Sequence, residues 1–181
     1  RDLPSFPTRR SSDLLPEVIA DYRRSYPAVK LTLMDAPSRT AWELMEEGKA
    51  DLAIVGHPQG SRLPPRFDAV PLAQYPFQLA CPASHPLAGI KRLTLRELLK
   101  HPLVLTGEGS SSRLQFDAVV AAAGLADRVD LAMTASNLFV ILNYVAMGMG
   151  VAILTLPAYE GAPMPQAGEP LVIRDISHLV G

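Results

Sequence analysis

Strand-length apolar runs and helix-period segments alternate along this chain from Leu15 to Leu154, and that alternation restricts its fold more than any other feature. Leu15, Val18, Ile19, Tyr22 and Tyr26 recur at helical spacing, with Pro16 in the first turn, where its missing N–H costs nothing. Arg23 and Arg24 fall near the C-terminal end, where the helix dipole favours cations, and Pro27 stops the helix. Val29, Leu31 and Leu33 then alternate with Lys30 and Thr32 as a strand. A second helix is predicted from Ser38 to Glu47, with Ala41, Trp42, Leu44 and Met45 inward and Gly48 as its stop. The unbroken "LAIV" of Leu52 to Val55 reads as a strand buried on both faces. Strand, helix and strand in that order make a βαβ unit with parallel strands.

After an exposed loop rich in Pro, Gly and Arg (Gly56 to Arg66), the pattern repeats. "PFQLACP" is a strand ending at Pro82, and Thr94 with Glu97 forms a T-x-x-E capping box on a short helix through Lys100. Strands follow at Leu103–Thr106, Val129–Met133 and Val151–Leu154. Helices run between them from Ser112 to Ala123 and Ser136 to Met147, closed by Gly124 and Gly148. Beyond Pro157 the chain is rich in Pro and Gly until "PLVIRDI" offers one more strand. The natural architecture is two α/β lobes joined by extended segments near Cys81 and Thr155. Ligands of open α/β sheets bind at the carboxyl ends of the strands, so the cleft between the lobes is the expected site.

Composition narrows the function. The 181 residues are 48% hydrophobic and 19% charged, which suits a globular protein rather than a disordered or coiled-coil one. A formal net charge of -1 gives no overall pull toward DNA or anionic lipid. The single cysteine, Cys81, excludes an internal disulfide and a multi-thiolate metal site, and is compatible with a reducing cytoplasm. No run approaches the roughly 18 apolar residues of a membrane-spanning helix. His57, His85, His101 and His178 are scattered without an H-x-x-x-H pair and read as solvated loop residues rather than a base or a metal set. Glu46 and Glu47 read as a solvated helix end. No catalytic constellation is present: "TGEGSSSR" (Thr106 to Arg113) lacks the spacing and lysine of a phosphate loop, and no G-x-S-x-G elbow surrounds its serines.

"YPAVKLTL", "EEGKADLAI", "HPLAG", "AAAGL" and "VAMGMGVAIL" stand in the same order as in the effector-binding domain of LysR-type transcriptional regulators, which this chain resembles from Leu14 to Leu154. The resemblance implies two Rossmann-like lobes of the periplasmic-binding-protein type II. Lobe I would comprise residues 14–82 plus 156–181, and lobe II residues 83–155. It implies a small-molecule effector in the cleft, no cofactor, no catalysis and no metal. It also implies a cytoplasmic homodimer or tetramer, with DNA contacted only through a winged helix-turn-helix and linker helix that this chain does not include. A solute-binding protein of an uptake system with the same fold is the alternative. Two departures stand out. The family has a strand and a polar pocket loop just before the helix at Leu15, where this chain has "RDLPSFPTRRSS", so the first strand of lobe I is missing or replaced. The proline that often follows the "GVAIL" strand is Thr155 here, with Pro157 two residues on.

Three helix starts share one design. Ser38, Arg39 and Thr40 open one helix, Ser110, Ser111, Ser112 and Arg113 another, and Thr134, Ser136 and Asn137 a third, each after a strand. Helix N-termini bind anions through free N–H groups and the positive dipole end, and arginine adds a bidentate fork for carboxylate or sulfate. Ser, Thr and Asn are also ordinary N-caps, so each residue alone has both readings, and the convergence of three starts favours a small anionic ligand. Thr106, at the end of its strand, faces the same edge. In the family the positions matching Ser38 and Thr134 to Asn137 tend to face the effector. Cys81 falls where a polar hinge contact is common; as a small buried hydrophobe it would need no such role. The helices at Leu15–Tyr26 and Leu114–Ala123 match those that pack against a partner subunit in the family, although their apolar faces could equally serve the chain's own core.

"FPTRRSSDL" ahead of the first helix fits none of this. Read as codons, TTC CCT ACA CGA CGC TCT TCC GAT CT encodes Phe6 to Asp13 and begins a leucine, and it resembles a widely used sequencing-library adapter. Residues 1–13 are therefore expected to be non-native, fused to a truncated gene.

Overall fold

The computed structural model describes residues 11–57, 65–155, 165 and 167–179, with side chains from Leu15 onward. Most of the adapter-like segment (residues 1–10), the middle of the Gly56–Arg66 loop and Pro157 lie outside the described residues. The helices are α1 (Ser11–Ser25), α2 (Ser38–Glu46), α3 (Leu95–Leu98), α4 (Ser111–Ala122) and α5 (Leu138–Ala146). The strands are β1 (Phe77–Pro82), β2 (Leu103–Leu105), β3 (Leu131–Thr134), β4 (Val151–Thr155) and β5 (Leu171–Asp175).

All five strands join one mixed sheet in the order β3-β2-β4-β1-β5. β2 lies parallel to β3 and β4, and α4 and α5 supply the crossovers that parallel strands need. β1 is antiparallel to both β4 and β5. The continuous apolar runs become central strands: every residue of β1 and β2 is buried, as is β4 through Leu154. Alternation sorts their side chains to two faces. Leu79, Cys81, Leu103, Leu105, Val151 and Ile153 pack with Phe116 and Val120 of α4. Ala80, Val104, Ala152 and Leu154 pack with Ile141, Leu142, Val145 and Ala146 of α5. Each fully buried Leu, Ile or Val contributes on the order of 1.5–3 kcal/mol, so this sheet is where the stability resides.

The predicted punctuation holds where it is local. Thr94 and Glu97 make the reciprocal capping box, and Gly48, Gly124 and Gly148 end their helices at φ of 66°, 66° and 80°. Two boundaries move. α1 begins at Ser11, so Pro16 lies inside the helix rather than in its first turn. α5 begins at Leu138, with Asn137 rather than Ser136 at its cap. β5 confirms the last predicted strand. Arg174 fastens it by donating to the carbonyls of Leu87 (2.6 Å), Ala88 (3.2 Å) and Ile90.

The first part of the chain departs from expectation. Val29–Leu33 and Leu52–Val55 run without strand pairing, and no described residue from Leu15 to Pro76 is buried. Leu33 is 74% and Leu52 75% exposed. The predicted βαβ pair therefore does not form. A strand is held by a neighbour that satisfies its N–H and C=O groups, and neither segment has one among the described residues. β1 and β5, which the sequence reading assigns to lobe I, hydrogen-bond into the sheet of β2–β4.

Candidate functional site

Three separate stretches of chain meet at the start of α2. Pro37 takes the N-cap position with φ -54° and ψ 149° and brings no side-chain acceptor to cap the helix. The Arg39 N–H donates to the Gly109 carbonyl at 3.3 Å, tying α2 to the loop before α4. Gly56 closes the third side. A Cβ there would lie 2.1 Å from Ser111 Oγ and 2.9 Å from Ser111 Cβ, so the backbone approaches the α4 start as only glycine allows.

Between these stretches is a pocket of about 300 Å³. Ser38, Arg39, Trp42, Glu43 and Glu46 of α2 form one wall, and Gly56, His57, Ser111 and Leu114 the other. Its volume is at the small end of the range for small-molecule sites. Arg39 Nε stands 3.4 Å from Glu43, and Glu46 pairs with Arg66, whose guanidinium lies 5.2 Å from the Phe67 ring centroid. Trp42 packs tilted against Phe67 (centroids 5.7 Å apart) and edge-on to His57 at 6.5 Å.

Of the residues singled out in the sequence, Ser38, Arg39 and Ser111 line this pocket. Thr106, Ser110 and Ser112 are not in its lining and form a hydroxyl cluster at the α4 start: Thr106 Oγ1 lies 2.5 Å from Ser110 Oγ and 3.0 Å from Ser112 Oγ. Ser110 also caps α4 by accepting from the Arg113 N–H. Arg113 turns along its own helix, its Nε 2.9 Å from both Asp117 oxygens, with a side chain only 11% exposed. Thr40 is exposed and outside the pocket lining. Thr134 and Ser136 are exposed elsewhere, and Asn137 Oδ1 caps α5 by accepting from Phe139 N (2.8 Å) and Val140 N (3.2 Å). Cys81 is wholly buried in the sheet; desolvation pushes its thiol pKa up, against an opposing pull from Arg174.

Sequence reasoning passed over Trp42, Glu43, Glu46, Gly56 and His57. The helical spacing of Ser38, Trp42 and Glu46 and of Arg39, Glu43 and Glu46 was the available signal, since residues three and four apart share a face. The histidines are also not simply solvated. His57 lines the pocket, His178 Nε2 lies 2.9 Å from the Leu93 carbonyl, and His85 meets His101 edge-on at 4.6 Å. Among the described residues no cluster of three or more His, Cys, Asp or Glu could hold a metal, and no helix is long and apolar enough to cross a membrane.

The mixed sheet with its crossover helices, and a charged cleft at two helix starts, define an α/β ligand-binding domain. This chain belongs to the LysR substrate-binding domain family, whose model matches residues 6–178. It is 32% identical over 165 residues to the HTH-type transcriptional regulator cbl of Escherichia coli, covering 91% of this chain and 50% of that protein. It is 30% identical to the HTH-type transcriptional regulator CysB of Haemophilus influenzae, over 92% of this chain and 49% of that one. The chain thus spans about half the length of the curated relatives it matches. Among solved structures, the cofactor-binding domain of the Cbl transcriptional regulator superposes with a TM-score of 0.72 at 31% identity, covering 94% of this chain and 70% of that one. The Synechocystis CcmR regulatory domain in complex with 2-PG superposes at 0.70 and 21% identity, over 90% of this chain and 74% of that domain, a likeness of fold. These relatives are regulators, not enzymes or uptake proteins.

Proposed function

We propose that this chain is the effector-sensing part of a cytoplasmic LysR-type regulator, and that a small ligand with an anionic group binds in the pocket between α2 and α4. The observation that carries this reading is the convergence of the uncapped α2 start, the Arg39 guanidinium and the Ser111 hydroxyl on one cleft. Backbone donors at a helix start and an arginine fork suit carboxylate, sulfate or phosphate alike. A ligand held by both α2 and the α4 start draws two separately folded stretches together. It shifts the protein only so far as it prefers that closed arrangement. In the whole regulator this would alter the packing of a homodimer or tetramer and so the spacing of its winged helix-turn-helix domains on DNA. That a domain of this fold, the CcmR regulatory domain, is found in complex with 2-PG supports a small-ligand role for the domain.

The test is calorimetric titration with sulfate, phosphate and short carboxylates. Ser38→Ala and Arg39→Gln should each weaken the binding found by roughly tenfold, as loss of a charge-assisted hydrogen bond does. Ser136→Ala, outside the pocket, should leave it unchanged. Equal binding by all three variants would place the ligand elsewhere.

A further inference from the structure

The pocket is not built for a dianion. Arg39 and the two carboxylates Glu43 and Glu46 line it, and Arg66 pairs with Glu46 from beside it. Arg39 against Glu43 and Arg66 against Glu46 cancel, so the surplus is only the roughly half positive charge of each helix N-terminus. A dianion would bring its second charge against the glutamates. Resting on the reading of this cleft as the effector site, we propose that it is bipolar. Its ligand is then a zwitterion, with the anionic group at Ser38, Arg39 and Ser111 and an amino group at Glu43.

Two observations carry this assignment. The Arg39–Glu43 pair spans the wall at 3.4 Å with side chains 77% and 56% exposed. Such an open pair is weak, and a ligand carrying both charges can take its place, carboxylate to Arg39 and ammonium to Glu43. The same wall already holds one cation in the required way: Arg66 lies over the Phe67 ring and pairs with Glu46, one helical turn beyond Trp42.

Matched probes test the assignment on the full chain by calorimetry: β-alanine with propanoate and malonate, and 4-aminobutanoate with butanoate and succinate. The amino acids should bind roughly tenfold or more tightly than either partner of the same series, the effect of one charge-assisted contact. In the double variant Glu43→Gln, Glu46→Gln that preference should vanish while carboxylate binding persists. If the monocarboxylates or dicarboxylates bind as well as the amino acids, and Arg39→Gln still abolishes their binding, the bipolar assignment is wrong and the effector site stands. If no probe binds, or if Arg39→Gln and Ser38→Ala change nothing, both fall together.

Discussion

Gly56 and His85 show how much of this molecule turns on single contacts. At Gly56 the obstacle to a side chain is space, since the position where a Cβ would stand is 2.1 Å from Ser111 Oγ. Gly56→Ala must push Ser111 off the pocket wall, an overpacking that costs about 1–3 kcal/mol and lowers ligand affinity with it. Thermal melts and calorimetry on the same variant would show both losses; unaltered affinity would mean that Ser111 contributes nothing to binding. At His85, Nδ1 accepts from the Leu87 N–H at 3.2 Å, so the neutral ring is the one the fold uses. Burial first and the neighbouring His101 second hold its pKa below the ordinary 6.5. The unfolded chain therefore protonates first as pH falls. The stability from neutral His85 is whole above the unfolded pKa of about 6.5 and drains away as pH drops through the lower folded value. Urea melts between neutral and mildly acid pH should show this slope in the wild type and a shallower one in His85→Gln. An unchanged slope would remove His85 as its source. The approaches of Gly56 to Ser111 and of His85 to His101 are not legible in the sequence, because each brings together residues that chain spacing does not relate.

At the scale of elements, legibility follows locality. The capping box at Thr94 and Glu97, the glycine stops and the buried runs of β1, β2 and β4 are all written in neighbouring residues, and all are found. Asn137 was legible as polar at a helix start but ambiguous between cap and ligand contact. Its Oδ1 accepting from two backbone N–H groups of α5 gives it a capping role. Asn137→Ala should therefore cost about 1 kcal/mol of stability, the usual worth of an N-cap, and leave ligand affinity intact. A loss of affinity without loss of stability would restore the ligand reading. Arg113 has two readings of its own. Its place in "SSSR" suggested an anion contact, yet Asp117 four residues on captures the guanidinium along α4. The pocket wall of α2 was missed for a similar reason: Trp42 reads as core and Glu46 as solvated until Gly56 and His57 are brought against them.

Across the whole molecule, order is uneven. Both core clusters draw on residues from Phe77 onward, whereas Leu15 to Pro76 supplies no buried side chain among the described residues. The alternation in Val29–Leu33 was a sound strand signal, but pairing needs a neighbouring strand, and the pattern of one segment cannot supply it. Hydrogen exchange should accordingly be slow at β1, β2 and β4 and fast at Lys30–Leu33 and Leu52–Val55, whose exposed amides have no strand partner among the described residues. Slow exchange in those two segments would show that they are paired after all. The pocket lies where the loosely held α2 wall meets the firm α4 start, which is where ligand closure would have the most freedom to act. The most direct check is amide chemical-shift mapping with whichever charged probe binds in the calorimetric panel. The account predicts the largest shifts at Ser38, Arg39, Gly56 and Ser111, with Thr134 to Asn137 unmoved. Shifts centred on Thr134 to Asn137 with the α2 start silent would contradict it.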